Sequence, residues 1–279
     1  MKEYAQAFLA ELRDDLEHDR LVLPTLPEVA LRVRDVVDDE ESTVGDVTRV
    51  IATDAALSAR IIQVANSPLM RASRAIEELD SAVGRLGMTL VRDLATSVVM
   101  QQMFQATSDV TDRKLREVWE HSTAVAAIAH VLAAQFTRLQ PQQAMLAGLI
   151  HDIGKLPILT KAEDHPDLLA DEAALDAILR KLHPRIGAII LESWNFPPEL
   201  VHVAAEHENL QYNVPELDYV DVVMVANLQS HAGTDHPLAD IDWGTVSAFT
   251  KLGLSPEVSV VEMEETADDI REAERLLRG

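Results

Sequence analysis

Apolar residues recur every three or four positions along most of the chain, as in Val29, Val33 and Val36 or Leu57, Ile61 and Val64, while alternating strand-like runs are scarce. Side chains at that spacing share one face of a helix, so the pattern predicts an all-α fold. Helix punctuation divides it further. Pro24 and Pro27 open one helix, Ser42-Thr43 begins another, Asn66-Ser67-Pro68 stops the helix running through IATDAALSARIIQVA, and Gly84 and Gly87 flank a turn. The polar stretch Thr107-Ser108-Asp109-Val110-Thr111-Asp112 predicts the boundary between two packed helical bundles, residues 1–110 and 111–232. A second break around Gly233-Thr234-Asp235-His236-Pro237 sets off a C-terminal helical extension, 233–279, that packs on the bundles and ends in the amphipathic helix EMEETADDIREAERLLRG.

Composition supports this picture and narrows the chemistry. Aromatics are only 4% of the 279 residues and apolar residues 47%, which suits close helix-on-helix packing around a sizeable core. No stretch approaches the roughly 18 uncharged apolar residues that a membrane span requires, and the N-terminus is charged every few residues, so a cytoplasmic protein is expected. With 47 acidic against 24 basic residues the net charge is −23, which would repel a phosphate backbone and disfavours nucleic acid as a partner. There is no cysteine; any metal must be held by imidazole, carboxylate, amide oxygen or water.

Four of the ten histidines lie on apolar helix faces. His121 continues the stripe Ala124, Val125, Ile128 and Leu132; His151 follows Ala144, Ala147 and Gly148 in LAGLIHDIGKLPIL, where the His-Asp pair is expected inside an apolar helix. His183 sits with Leu179, Ile186 and Ile190, and His207 extends Leu200, Val203 and Ala204. One inward histidine is ordinarily a core residue bonded to a carbonyl; four converging from separate helices make a nitrogen ligand set for a divalent ion, with Asp152 adding an oxygen. Glu117, one turn before His121, is either a further ligand or a solvated acid, and His231, one turn beyond Asn227, is another possible ligand. His18, His165 and His236 lie among polar neighbours and are assigned no role. Arg92 is expected in ordinary salt bridges.

A histidine on one helix, the doublet His151-Asp152 followed by Gly154-Lys155, and histidines downstream resemble the HD superfamily of metal-dependent phosphohydrolases. The resemblance implies that the doublet bridges or binds metals that generate a hydroxide for attack on phosphorus. It places His121 as the first histidine and Asn227, in VVMVANLQS, where a last aspartate should stand; asparagine offers a neutral carbonyl there. HPRIGAIILESWNFPPELVHVAAEHE is similar to a segment of the HDOD branch and of the HD-GYP cyclic-di-GMP phosphodiesterases, but Glu206 replaces the first of two adjacent histidines and NLQYNVPELDYV contains no Gly-Tyr-Pro. LPTLPEVALRVRDVV, VIATDAALSARIIQVANSPLM and AVGRLGMTLVRDLATS resemble successive helices of the HDOD domain, an HD-related output domain of bacterial signalling proteins, over about residues 20 to 230. The expectation is a free-standing HDOD protein or a fragment of one.

The resemblance implies a signal-transduction module with a degenerate HD-type site that acts through contacts with other signalling proteins. The alternative is a metal-dependent phosphohydrolase acting on a nucleotide or other phosphoester, with Asp152 and Lys155 in the chemistry. The implied metal ligands are His121, His151, Asp152, His183, His207 and Asn227, with Glu117, Glu206 and His231 as additions, holding one or two divalent ions (Fe, Mn, Zn or Mg) or none. A phosphorylated small ligand is the expected small-molecule partner; neither nucleic acid nor membrane is.

Overall fold

The computed structural model describes residues 2–67, 70, 75–104, 109–261 and 263–278, and among these every regular element is helical. The first helices are α1 (Glu3–Glu17), α2 (Glu28–Asp38), α3 (Val44–Ile51), α4 (Ala55–Ala65), α5 (Leu79–Leu86) and α6 (Met88–Met103). Their boundaries follow local chemistry. Pro27 precedes α2, and Thr43 caps α3 in a reciprocal box with Asp46. The Asp54 carboxylate accepts from Leu57 N at the start of α4, which ends at Asn66. Pro68 lies outside the described residues. Gly87, with φ of 80°, separates α5 from α6 in a backbone conformation that side chains with a Cβ avoid, whereas Gly84 lies within α5 and breaks nothing.

The second series comprises α7 (Asp109–Phe136), α8 (Pro141–Ile150), α9 (Lys155–Ala162), α10 (Pro166–Leu169), α11 (Glu172–Ser193), α12 (Pro198–Glu206), α13 (Tyr219–Ser230), α14 (Ser247–Leu252) and α15 (Glu264–Arg278). Thr107 and Ser108, in the predicted boundary, lie outside the described residues, and Asp109 to Asp112 form the first turn of α7. Helices α2 to α6 pack on one another; α7 packs with α8, α9 and α13, and α11 with α9 and α12. Helix α1 packs on α10 and α11, and α15 lies along α7. Fully buried Leu57, Ile61, Leu94, Ile128, Leu132 and Leu149 mark the core, each contributing about 1.5–3 kcal/mol by leaving water.

The two series meet where α6 approaches α8. Arg92 bonds Asp38 at 3.2 Å and the buried Asp93 at 3.1 Å, tying α6 to α2. Burial lifts the Asp93 carboxyl to about 6, and Arg92 only partly offsets this. Nearby, Arg34 donates to Trp194 O, and Trp194 Nε1 donates to Pro24 O at 3.1 Å. The N-terminal helices are thereby latched to the end of α11.

Candidate metal centre

Two close backbone approaches bring the site together. A Cβ on Gly148 would lie 2.7 Å from Ala126 Cα, so α8 rests directly on α7. A Cβ on Gly154 would lie 2.0 Å from His183 O, so the turn before α9 rests directly on α11. No larger residue fits there without backbone movement. The His-Asp doublet, expected inside a helix, instead occupies this turn: α8 stops at Ile150 and His151 is its C-cap. The helix ends where the chain must drop onto α11.

Within this frame His121 comes from α7, His151 and Asp152 from the turn after α8, Lys155 from the first position of α9, His183 from α11, His207 from the C-cap of α12 and Asn227 from α13. His151, Asp152, His183, His207 and Asn227 are buried, while His121 stands half-buried at the edge. Asp152 is the hub. Its Oδ1 lies 3.1 Å from His183 Nε2 and 3.6 Å from His207 Nε2, and these two nitrogens are 3.1 Å apart. Its Oδ2 lies 3.4 Å from His151 Nε2, 3.7 Å from His121 Nε2 and 2.5 Å from Lys155 Nζ. Two donor groups result, His121/His151/Asp152 and Asp152/His183/His207, sharing one carboxylate, with the donor atoms of each group within 4.8 Å of one another.

Hydrogen bonding fixes which nitrogen of each buried ring faces inward. His151 Nδ1 donates to Gly148 O at 2.6 Å, His183 Nδ1 to Leu179 O at 2.8 Å, and His207 Nδ1 to Ala204 O at 3.1 Å. Carbonyls only accept, so each Nδ1 carries a proton. Burial pushes His121 and His151 down to about 3 and lowers His183, so these rings are neutral near pH 7. A neutral ring protonated at Nδ1 presents a bare lone pair at Nε2. Burial alone would raise Asp152, but the Lys155 ammonium 2.5 Å from Oδ2 opposes it, and the carboxyl is held well below its usual range.

Lone pairs and a carboxylate oxygen therefore crowd one buried point, an arrangement that calls for a cation. A proton could reconcile one pair of these atoms. It would leave His151 Nε2, Asp152 Oδ1 and Asn227 Oδ1, all buried without an aligned hydrogen-bond partner, unsatisfied. A divalent ion among them satisfies several at once, and donors around an ion with bonds of about 2.0–2.2 Å stand about 3.0–3.6 Å apart. The Asp152, His183 and His207 separations fit that spacing, and backbone bonds at the outer nitrogens orient the rings as ligated histidines are oriented.

A cleft of about 510 Å³ opens onto this cluster, lined among others by His121, Lys155, Arg180, Glu208, Asn227 and His236. Glu117 also lines it, with its carboxylate 3.4 Å from Lys114. His231 stacks on His121 with centroids 4.8 Å apart and stands outside the two donor groups. Glu206 accepts a hydrogen bond from Asn209 at 2.7 Å and is likewise outside them. His236, given no role from its polar neighbours, stacks on His231 at 3.7 Å, because the turn after α13 folds back over the cleft. Glu208, absent from the expected set, brings Oε1 to 3.9 Å from His183 Nε2; its only signal in the sequence is adjacency to His207. His18 and His165 pair with Asp14 and Glu11 elsewhere.

Residues 23–210 match the HDOD domain. The fold is similar to that of a Shewanella amazonensis SB2B protein provisionally named a metal-dependent phosphohydrolase, 33% identical, with a TM-score of 0.88 over 99% of this chain and 100% of that one. It is also similar to an HDOD domain protein of unknown function from Geobacter sulfurreducens, 24% identical, with a TM-score of 0.68 over 98% of each chain. An uncharacterized Treponema pallidum (strain Nichols) protein is 25% identical over 74% of this chain and 42% of its own length. Ribonuclease Y of Opitutus terrae is 31% identical over 40% of this chain and 17% of its own length, so the chain spans less than half of these curated relatives. From the helices that precede the histidine cluster to the turn that follows His207, the chain belongs to the HDOD family.

Proposed function

We propose that the chain is a signalling module that holds a divalent metal at His121, His151, Asp152, His183, His207 and Asn227, takes a phosphorylated ligand in the adjoining cleft, and passes its state on through contacts with other proteins. The observation that carries this reading is the inward set of Nε2 lone pairs, whose Nδ1 atoms are committed to backbone carbonyls. Asn227 in place of a carboxylate removes a candidate base and favours binding over turnover. With a net charge of −23, nucleic acid is not the partner, and no helix among the described residues is long and apolar enough to cross a membrane. Elemental analysis of protein purified without chelators or a polyhistidine tag tests the reading. One to two equivalents of a divalent metal are expected; none, even after incubation with Mn, Fe or Zn, overturns it.

Hydrolysis is the second reading, favoured by the opening of the cleft directly onto His121, Asn227 and Lys155. It also draws on the name given to the Shewanella relative. In this reading Asp152 binds the ions and Lys155 meets the phosphate. Turnover of a phosphoester panel with Mn, Fe or Mg, lost in His151→Ala, would establish it in place of the non-catalytic module. An inert wild type together with an inert Asn227→Asp would remove it.

A further inference from the structure

The two sides of Asp152 are unequal. Toward Oδ2 the Lys155 ammonium already sits at 2.5 Å, His121 is half-buried, and Asn227 offers only a neutral amide oxygen. Toward Oδ1, His183 and His207 are buried and no cationic side chain among the described residues pairs with that oxygen. Glu208 stands on this second side, one residue beyond His207 in the turn that ends α12, with its side chain 21% exposed toward the cleft.

We infer that Glu208 is the fourth protein ligand of an ion held by Asp152, His183 and His207, and that this inner position binds its ion more tightly than the outer one at His121, His151 and Asn227. The inference rests on the metal-binding reading above. Three inner donors already stand 3.1, 3.1 and 3.6 Å from one another. Glu208 Oε1 lies 3.9 Å from His183 Nε2 but outside the 4.8 Å donor group, so its side chain, half-buried in a turn and lining the cleft, swings inward to reach the ligand spacing of about 3.0–3.6 Å. Electrostatics points the same way. Two carboxylates face the inner ion, while the outer ion shares Asp152 with an ammonium and gains no charge from Asn227. The carboxylate that position 227 lacks is supplied, on the other side of the hub, from position 208.

Metal-stripped full-length protein titrated with Co(II), followed by calorimetry and by the visible absorbance of the bound ion, separates the positions. The wild type is expected to show a tight step and then a weaker one. Glu208→Gln, which keeps size and hydrogen-bonding capacity, is expected to weaken the tight step by at least about tenfold, change its spectrum, and leave the metal-free melting temperature unaltered. Asn227→Asp is expected to strengthen the weak step alone. An unchanged tight step in Glu208→Gln overturns the inference while the metal reading stands; so does an equal loss at both steps or a lowered metal-free melting temperature, since either makes Glu208 structural. A wild type that binds no Co(II) overturns the underlying reading instead.

Discussion

At the junction of α2 and α6, Asp93 is as deeply buried as Asp152 beneath the histidines, at 2% and 1% exposure, yet the two carboxylates keep different company. Asp93 has a guanidinium beside it, and that partner in turn reaches Asp38. Its Oδ1 is paired within the protein, and burial still lifts it to about 6. Asp152 is held ionised with the Lys155 ammonium beside it, while Oδ1, His151 Nε2 and Asn227 Oδ1 remain unmatched. Charge that only fastens helices closes on itself; charge arranged for a ligand is kept ionised and left open.

The sharpest way to break this contrast is to fill the open side. At a metal concentration about 1,000 times its dissociation constant, stabilisation of about 4 kcal/mol is expected by mass action, read as a raised melting temperature that chelation reverses. Asp152→Asn should abolish the shift and Asp93→Asn should not; a shift that survives Asp152→Asn places the ion elsewhere. Gly154→Ala should cost about 3 kcal/mol and the metal-dependent shift together, because its Cβ would meet His183 O at 2.0 Å. Full stability in that variant would show that the turn does not need its contact with α11.

Asp93 supplies a pH test. Its folded-state value lies above that of a free carboxylate, so its contribution is present in full below about pH 4 and is lost as pH rises through 6. Asp93→Asn should remove that slope and, with Arg92 still paired to Asp38, gain about 2 kcal/mol over the wild type at pH 8 in urea melts. A slope unchanged between pH 4 and 6 would assign the titration to another group. Thr43→Ala, remote from both carboxylates, should cost about 1 kcal/mol through loss of the α3 cap and leave metal affinity alone. A change in affinity there would mean that the first helices and the centre are energetically coupled.

Much of this was legible residue by residue. Pro27, Thr43 and Asn66 bound their helices because capping and proline geometry are local. The inward course of His121, His151, His183 and His207 was legible too, since a ring on an apolar stripe turns with the stripe. What escaped depended on contacts between distant segments. The end of α8 before His151 is dictated by Gly154 meeting α11. The positions of His236 and Glu208 depend on where the turns after α13 and α12 return, which hydrophobic periodicity does not encode. Gly84 and Gly87 look alike in sequence, and only the second carries a positive φ.

His151 and His207 both stand at helix C-caps, where their Nδ1 protons satisfy carbonyls that the ending helix leaves open. Under the proposed metal-binding function the same rings would hold two jobs, one in the architecture and one at the ion. If the metal were abandoned, α8 and α12 would still fray on losing either imidazole, so folding alone would preserve two of the four histidines. Retained counterparts of His151 and His207 in relatives of this chain are therefore poor witnesses to chemistry; if the proposed ligand set is correct, Asp152 and the residues at 227 and 208, which cap no helix end, are the ones whose drift would record loss of the ion.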